Sequence, residues 1–462
     1  PQSTVDPIPA PTIDTTIKCQ TFDLSTVTPS IRASLLKRPI QSSTDIAALV
    51  SPIIDLVRKK GDAGLRSLVV KFDRCAPAEA NDFPLVLRAP FAPESMVLQP
   101  EVKAAIDQAY SNIQKFHGAQ MEKESKSLVV ETMPGVVCSR FARPIERVGI
   151  YVPGGTAILP STALMLAVPA QVAKCSAITL ATPPRPDGSI SPEIVYIASI
   201  TGVSTIVRAG GAQAVAAMAY GTETVPKVDK IFGPGNQFVT AAKMAVSMDS
   251  GSGTAIDMPA GPSEVLVIAD SSCVPSFVAS DLLAQAEHGI DSQVVLLTVA
   301  LPSSTISQIE DEINSQALAL SRVDIIRKSI PKSLIVKCAS IEEAMEFSNN
   351  YAPEHLILHT EKAASLLDVV VNAGSVFVGP LSPESCGDYA SGTNHTLPTY
   401  GYARQYSGVS TLSFLKHITS QELTLEGLRA LGPVVETLAQ AEGLDGHKMA
   451  VTVRLETLGR KA

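Results

Sequence analysis

The sequence has no apolar run matching the roughly 20 residues that a membrane-spanning helix needs. Its longest apolar stretch, 158–173, is interrupted by Pro160, Ser161, Thr162, Pro169 and Gln171, so it reads as a buried protein helix. Blocks of lysine and arginine are missing too. With 37 Lys+Arg against 45 Asp+Glu the formal net charge is −8, and the clustered cations that grip nucleic-acid phosphates are not there. Charged residues make up only 18%, but 45% of the chain is hydrophobic, which excludes a mostly disordered protein. The seven cysteines (Cys19, Cys75, Cys138, Cys175, Cys273, Cys338, Cys386) are odd in number, widely spaced and free of any CxxC. That excludes a disulfide framework and a thiolate zinc site, and it fits a reducing, cytoplasmic compartment. The N-terminus has neither a basic n-region nor an apolar h-region, so no signal peptide is read there. About the first 15 residues are expected to form a mobile tail. The start at Pro1 is read as a trimmed or processed chain, or a piece of a longer one.

What is present is an alternation of β-rich and helical runs. From RVGIYV onward, SAITLAT, STIVRAG and DKIFG are each followed by a helical segment; SEVLVIAD, SQVVLLTV, SLIVKC, HLILHT and SVFVGP make a second series. Apolar strands alternating with helices predict parallel α/β layers with both sheet faces covered. Dividing 462 residues by roughly 150 per domain suggests two or three domains, and the two series suggest two layers. MPAGPS (258–263) and FARPIERVG (141–149) read as crossing points. Residues 31–125 read as mainly helical and are expected to pack on the second layer; residues 413–462 read as a helical tail.

In such folds ligands sit at the carboxyl ends of the strands. Three Gly-rich turns fall there: YVPGGT, AGGAQA and FGPGNQ. Glycine lets backbone approach a ligand, and helix N-termini favour anionic groups, although no GxGxxG fingerprint occurs. Histidine is scarce, with seven residues, and four lie beside polar groups: His288 with Gln285 in QAEHG, His355 with Glu354 in YAPEHL, His395 with Asp388 in a long Gly-rich loop, and His447 with Glu442. Imidazole, carboxylate and amide oxygen suit zinc or manganese. His117, His359 and His417 read as ordinary hydrogen-bonded or surface residues.

The blocks YVPGGTAILPSTALMLAVPA, IFGPGNQFVTAAK, DMPAGPSEVLVIAD, DLLAQAEHGIDSQ, NYAPEHLIL, PESCGDYASGTNHTLPTYG and EGLDGHKMAV, in this order over about residues 30–458, strongly resemble the histidinol dehydrogenase family. VVETMPGVVCSRFARPIERVG resembles the fungal form, the C-terminal part of a multifunctional histidine biosynthesis polypeptide. The resemblance implies an α/β fold of two incomplete Rossmann-like parallel-sheet layers with helical N- and C-terminal extensions, aldehyde-dehydrogenase-like in arrangement. It divides the chain into a tail and extension (1–30), a main domain carrying metal and catalytic loops (31–150 plus 264–409), a second domain lining the NAD site (151–263) and a helical C-terminal segment against the partner (410–462). It implies oxidation of L-histidinol to L-histidine through the aldehyde with two NAD and one zinc per subunit. Carried over by motif, Gln285, His288, Asp388 and His447 would hold zinc; His355 would be the general base and Glu354 would activate water. Ser263, His395 and Glu442 would contact substrate beside the metal and catalytic residues, and Tyr151, Gln213 and Asn236 would line the NAD site. Glu442 and His447 would act in the partner's site, making a homodimer obligatory.

Cys386 departs from the family pattern, where a small apolar residue is expected two positions before Asp388, and it raises a covalent thiohemiacetal route as an alternative. Three rival functions are a zinc hydrolase, a non-catalytic solute-binding protein and a dehydrogenase of another amino alcohol.

Overall fold

A computed structural model describes residues 17–38, 43–124, 126–154, 158–259 and 261–459. The expected mobile tail and Gly155–Thr156 of the first Gly-rich turn lie outside the described residues. Two six-stranded sheets carry the fold. One has the order Val86–Arg88, Thr205–Arg208, Ala177–Thr182, Arg147–Tyr151, Lys230–Phe232, Ala255–Ile256, parallel except for its first strand. The other, all parallel, runs Gln20–Asp23, Leu334–Cys338, Gln293–Val299, Glu264–Ala269, His355–His359, Ser375–Val378. Each sheet has a hydrophobic cluster on both faces. In strands such as EVLVIA every position is buried, and all but the leading Glu264 are apolar because both faces need covering. The expected pair of parallel α/β layers is therefore observed.

The N-terminal helices pack differently from the expectation. The long helix Ser43–Asp73, interrupted at Gly61, lies on the helices Gly211–Tyr220 and Gln237–Met248, and Pro100–Glu124 lies on Pro160–Val172. Both belong to the 147–256 layer, not to the 264–378 layer. The reason is steric: Val50, Val57, Leu65 and Val69 bury against the alanines of 212–219, whose small side chains let two helices approach closely. Strand Val86–Arg88 and the whole of Arg147–Tyr151 join the same layer, so it draws on residues well before 151. Within the extension before residue 30, Gln20–Asp23 pairs with Leu334–Lys337 at a sheet edge.

The C-terminal segment is helical only in part. Leu415–Leu423 is a nine-residue strand pairing antiparallel with Val136–Pro144, which pairs in turn with Leu128–Met133. FARPIERVG is thus largely strand. The helices Leu425–Ala441 and Asp445–Thr457 follow and pack on each other. They leave Val434, Leu438, Met449 and Val453 exposed. Among the described residues no helix is long and apolar enough to cross a membrane.

Buried His117 ties the helix Pro100–Glu124 to the turn at Thr411: Thr411 Oγ1 donates to His117 O at 2.9 Å, and His117 Nδ1 lies 3.3 Å from the same hydroxyl. Burial pushes its pKa down to about 4. Protonation therefore favours the unfolded chain, where histidine titrates near its ordinary value. The stability conferred by a neutral His117 is complete above about pH 6.5 and falls by up to ~3 kcal/mol as pH drops toward 4. Urea midpoints measured from pH 7.5 to 4.5 should fall less steeply for His117→Gln than for the wild type, and identical slopes would contradict this account.

Candidate active site

Only seven residues, 257–263, connect the carboxyl end of Ala255–Ile256 in one sheet to the amino end of Glu264–Ala269 in the other. The carboxyl edge of the first sheet and the amino edge of the second are thereby brought together. In the first sheet the order reverses between Arg147–Tyr151 and Lys230–Phe232, the switch point where α/β sheets open a crevice. The turns beginning at Tyr151 and Gly233 flank it. The polar cluster instead gathers at the amino ends of the second sheet, opposite to the expectation of carboxyl ends, because Glu264 and His355 start adjacent strands.

Glu264 is the hub. Its carboxylate is completely buried and receives Arg38 Nε at 2.8 Å, Arg38 Nη2 at 3.0 Å and the Tyr400 amide at 2.9 Å. Arg38 also stacks 3.5 Å above the Tyr351 ring. The Glu264 amide donates to Glu354 Oε2 at 2.9 Å, and the Glu264 carbonyl lies 3.2 Å from His355 Nδ1. On its other side His355 Nε2 lies 3.2 Å from Asp388 Oδ1. Both ring nitrogens face acceptors, an arrangement that suits the imidazolium. Burial opposes that charge, but Glu354, Asp388 and Glu384 outweigh it and hold the His355 pKa well above its ordinary value. Burial would likewise raise Asp388, yet the hydrogen bond to His355 and the nearby histidines bring it below the usual carboxylate range.

Glu354 has the opposite fate: burial dominates and pushes its carboxyl up to about 8, although His355 pulls the other way. Gln285 ends the helix Pro275–Ala286, which returns antiparallel to its strand and so delivers Gln285 to the same edge. With its amide oriented so that oxygen faces a donor and nitrogen an acceptor, it accepts from the Glu264 N–H at 3.0 Å and donates to Glu384 Oε1 at 3.1 Å. Glu384 was missed by sequence reasoning. It is 1% exposed, its Oε2 has no partner, and burial holds its pKa far above the usual value. A signal existed: Glu384 and Asp388 are four residues apart, one helical face, in Glu384–Tyr389.

His288 follows one turn after Gln285. Lost solvation, with His355 and Arg322 adding to it, lowers its pKa despite the attraction of Asp388. His395 Nδ1 lies 2.9 Å from the Asp388 carbonyl and its Nε2 3.0 Å from Thr162 Oγ1, so it bridges the two layers. Ser263 directly precedes Glu264, and its carbonyl accepts from the Gln293 amide at 3.0 Å. The structure thus brings Gln285, Glu354, His355, Asp388 and His395 together, with His288 and Ser263 beside them. Glu442 and His447 are exposed in the C-terminal helical pair and make none of these contacts. Among the described residues no group of three or more His, Cys, Asp or Glu is poised to hold a metal ion, so any metal would need Gln285 or donors from elsewhere.

The nucleotide candidates are tied into the turns. Tyr151 and Gln213 are buried; the Tyr151 hydroxyl accepts from the Gly211 amide at 3.0 Å, and Gln213 Nε2 donates to Asp73 at 3.2 Å. Asn236 is exposed and caps the helix Gln237–Met248. Cys386 is exposed, whereas Glu384 and Gly387 of the same short helix are buried. That orientation disfavours the thiol route.

The family model for histidinol dehydrogenase matches residues 36–455. The chain belongs to the histidinol dehydrogenase family. A Schizosaccharomyces pombe histidinol dehydrogenase is 56% identical over 438 residues, 95% of this chain and 98% of that protein. The histidine biosynthesis trifunctional protein of Komagataella pastoris is 61% identical over 424 residues, 92% of this chain but 49% of that protein. The chain spans about half the length of the trifunctional relatives it matches. The crystal structure of histidinol dehydrogenase from Elizabethkingia anophelis, 47% identical, superposes with a TM-score of 0.88 over 95% of this chain and 98% of that one.

Removing Arg38 strands the Glu264 carboxylate in the interior. Arg38→Met should cost about 3–5 kcal/mol in denaturant unfolding, and Arg38→Met with Glu264→Leu should recover much of it. A near-neutral single variant would remove Glu264 from its central place.

Proposed function

We propose that the chain oxidises L-histidinol to L-histidine through L-histidinaldehyde, reducing two NAD, as the last step of histidine biosynthesis. The observation that carries this reading is the convergence of Glu354, His355, Asp388 and Gln285 in one buried cluster beside the switch-point crevice of a histidinol dehydrogenase family fold. In this reading His355, once it has given up the proton that its acidic neighbours favour, takes the hydroxyl proton as hydride leaves the carbinol carbon. Glu354 takes a proton from the water that adds to the aldehyde, and the hydrate gives up the second hydride. With its carboxyl at about 8, Glu354 keeps an ionised minority near neutral pH that can take this proton, and that share grows as pH rises. NAD would supply the hydride acceptor, and the turns carrying Tyr151, Gln213 and Asn236 would hold it.

The donor set suits one zinc per subunit. Gln285 and Asp388 offer oxygen, His288 offers nitrogen, and Asp388 lies within electrostatic reach of His288. The unpaired oxygen of Glu384 is a further sign that this buried, carboxyl-rich pocket is short of positive charge. When bound, zinc would act as a Lewis acid that orients the substrate's imidazole and amino nitrogens. Ser263 and His395 would complete the substrate pocket. His447 as fourth ligand and Glu442 as a substrate contact come from a partner subunit in this reading. Its support is that both lie exposed on a helical pair with an apolar surface, away from their own chain's cluster. A homodimer follows from it.

Absorbance of NADH with L-histidinol, with and without a chelator, tests the central claim. Two NADH per substrate, lost on chelation and restored by zinc, is expected; no absorbance change would overturn it. The division of proton work is tested separately. His355→Asn should slow alcohol oxidation by roughly 10²–10⁴-fold. Glu354→Gln should spare the alcohol step and depress oxidation of supplied aldehyde, and equal losses in both steps would contradict the assignment.

A further inference from the structure

The turn at the switch point is held by a buried ion pair that the proposed chemistry does not use. Gly233 follows Lys230–Phe232 with φ +125°, and a Cβ there would lie 2.3 Å from the Tyr151 carbonyl oxygen. The peptide backbone at Gly233 is therefore pressed against the neighbouring strand end. Both of its polar groups are then claimed by charged side chains. The Gly233 N–H donates to Asp257 Oδ2 at 2.8 Å, and its carbonyl accepts from Lys243 Nζ at 2.8 Å. Lys243 and Asp257 pair directly, with side chains 4% and 1% exposed. Lys243 lies in Gln237–Met248, the helix this turn opens, so it reaches back to the turn from within.

Asp257 looks in a second direction. Its Oδ1 accepts from the Met258 amide at 2.7 Å, at the start of the 257–263 connection to Glu264. That connection is fastened again where the Gly261 amide donates to Thr399 Oγ1 at 2.5 Å, next to Tyr400, whose amide holds Glu264. One buried pair thus orients the peptide groups of the Gly-rich turn and anchors the connection that ends at the catalytic edge.

Resting on the functional reading above, we propose that Lys243 and Asp257 are positioning residues for the dinucleotide. They hold the Gly233–Asn236 turn in the shape that admits NAD at the switch point and fix its distance from the catalytic cluster. A buried ion pair contributes little net stability over an apolar replacement, so retaining one here is explained by the geometry it imposes. Neither side chain needs to touch the ligand.

The test uses the zinc-loaded full chain with Lys243→Met, Asp257→Asn and the double variant, which leaves no unpaired buried charge and so keeps a folded control if a single variant fails. NAD affinity by calorimetry should fall at least about tenfold, while KM for L-histidinol stays within about twofold of the wild type. Amide hydrogen exchange at Gly233–Asn236, without ligand, should accelerate in the same variants and stay unchanged in the His355–His359 strand. A folded double variant with wild-type NAD affinity and wild-type protection at Gly233 would overturn the proposal. Failure of the wild type to bind NAD would overturn the functional reading, and the dinucleotide role with it, whereas a loss confined to the variants leaves that reading standing.

Discussion

The pairing of Arg38 with Glu264 is the constraint on which the candidate active site depends. Two guanidinium nitrogens and a backbone amide satisfy a carboxylate that would otherwise be too costly to bury. With that side chain immobile, the peptide groups of Glu264 become fixed points. One holds Glu354 and the other holds His355. Residues drawn from the N-terminal region, a sheet strand and the 400 loop therefore act together to set Glu354 and His355 at the start of a neighbouring strand.

The cluster crowds four acids around one histidine: Glu264, Glu354, Glu384 and Asp388. They cannot all ionise in a dry setting, and the structure separates them by partner. Glu264 has Arg38, and Asp388 has His355. Glu354 has only a share of His355, at 3.6 Å, and Glu384 has an oxygen without a partner, so burial pushes both toward the neutral acid. Neighbouring carboxyls thus acquire different protonation, which is how a single cluster can hold both a charged ligand group and a proton carrier.

Much of this was legible before the structure. Strand–helix alternation identified the layers because doubly covered strands must be apolar throughout. The polar motifs at Gln285, Glu354, Asp388 and His395 stood out beside scarce histidines, but spacing alone did not assemble them into one site; that grouping came from the family resemblance. The side of the fold on which the N-terminal helices dock was not legible, since both layers offer apolar faces and the choice rests on alanine-sized clearance at 212–219. The strand Leu415–Leu423 was missed because LKHITSQEL lacks regular apolar–polar alternation and seven of its nine residues are exposed. Glu384 was missed because its role comes from burial, which only three-dimensional packing reveals. Arg38 lies 226 residues from its partner, and no local pattern announces such a pair.

That separation bears on how the chain reaches its native state. Contacts at the site join residues 226, 136, 90 and 33 positions apart. Closing such long loops is entropically demanding, so this polar centre is a late product of assembly rather than a nucleus. A collapsed chain with its sheets docked one register out would trap Glu264 without a guanidinium and Glu354 without an amide. Such a state would be penalised by several unsatisfied groups at once. The same residues that would move protons in the finished enzyme would then discriminate, during folding, between the correct arrangement and its near neighbours.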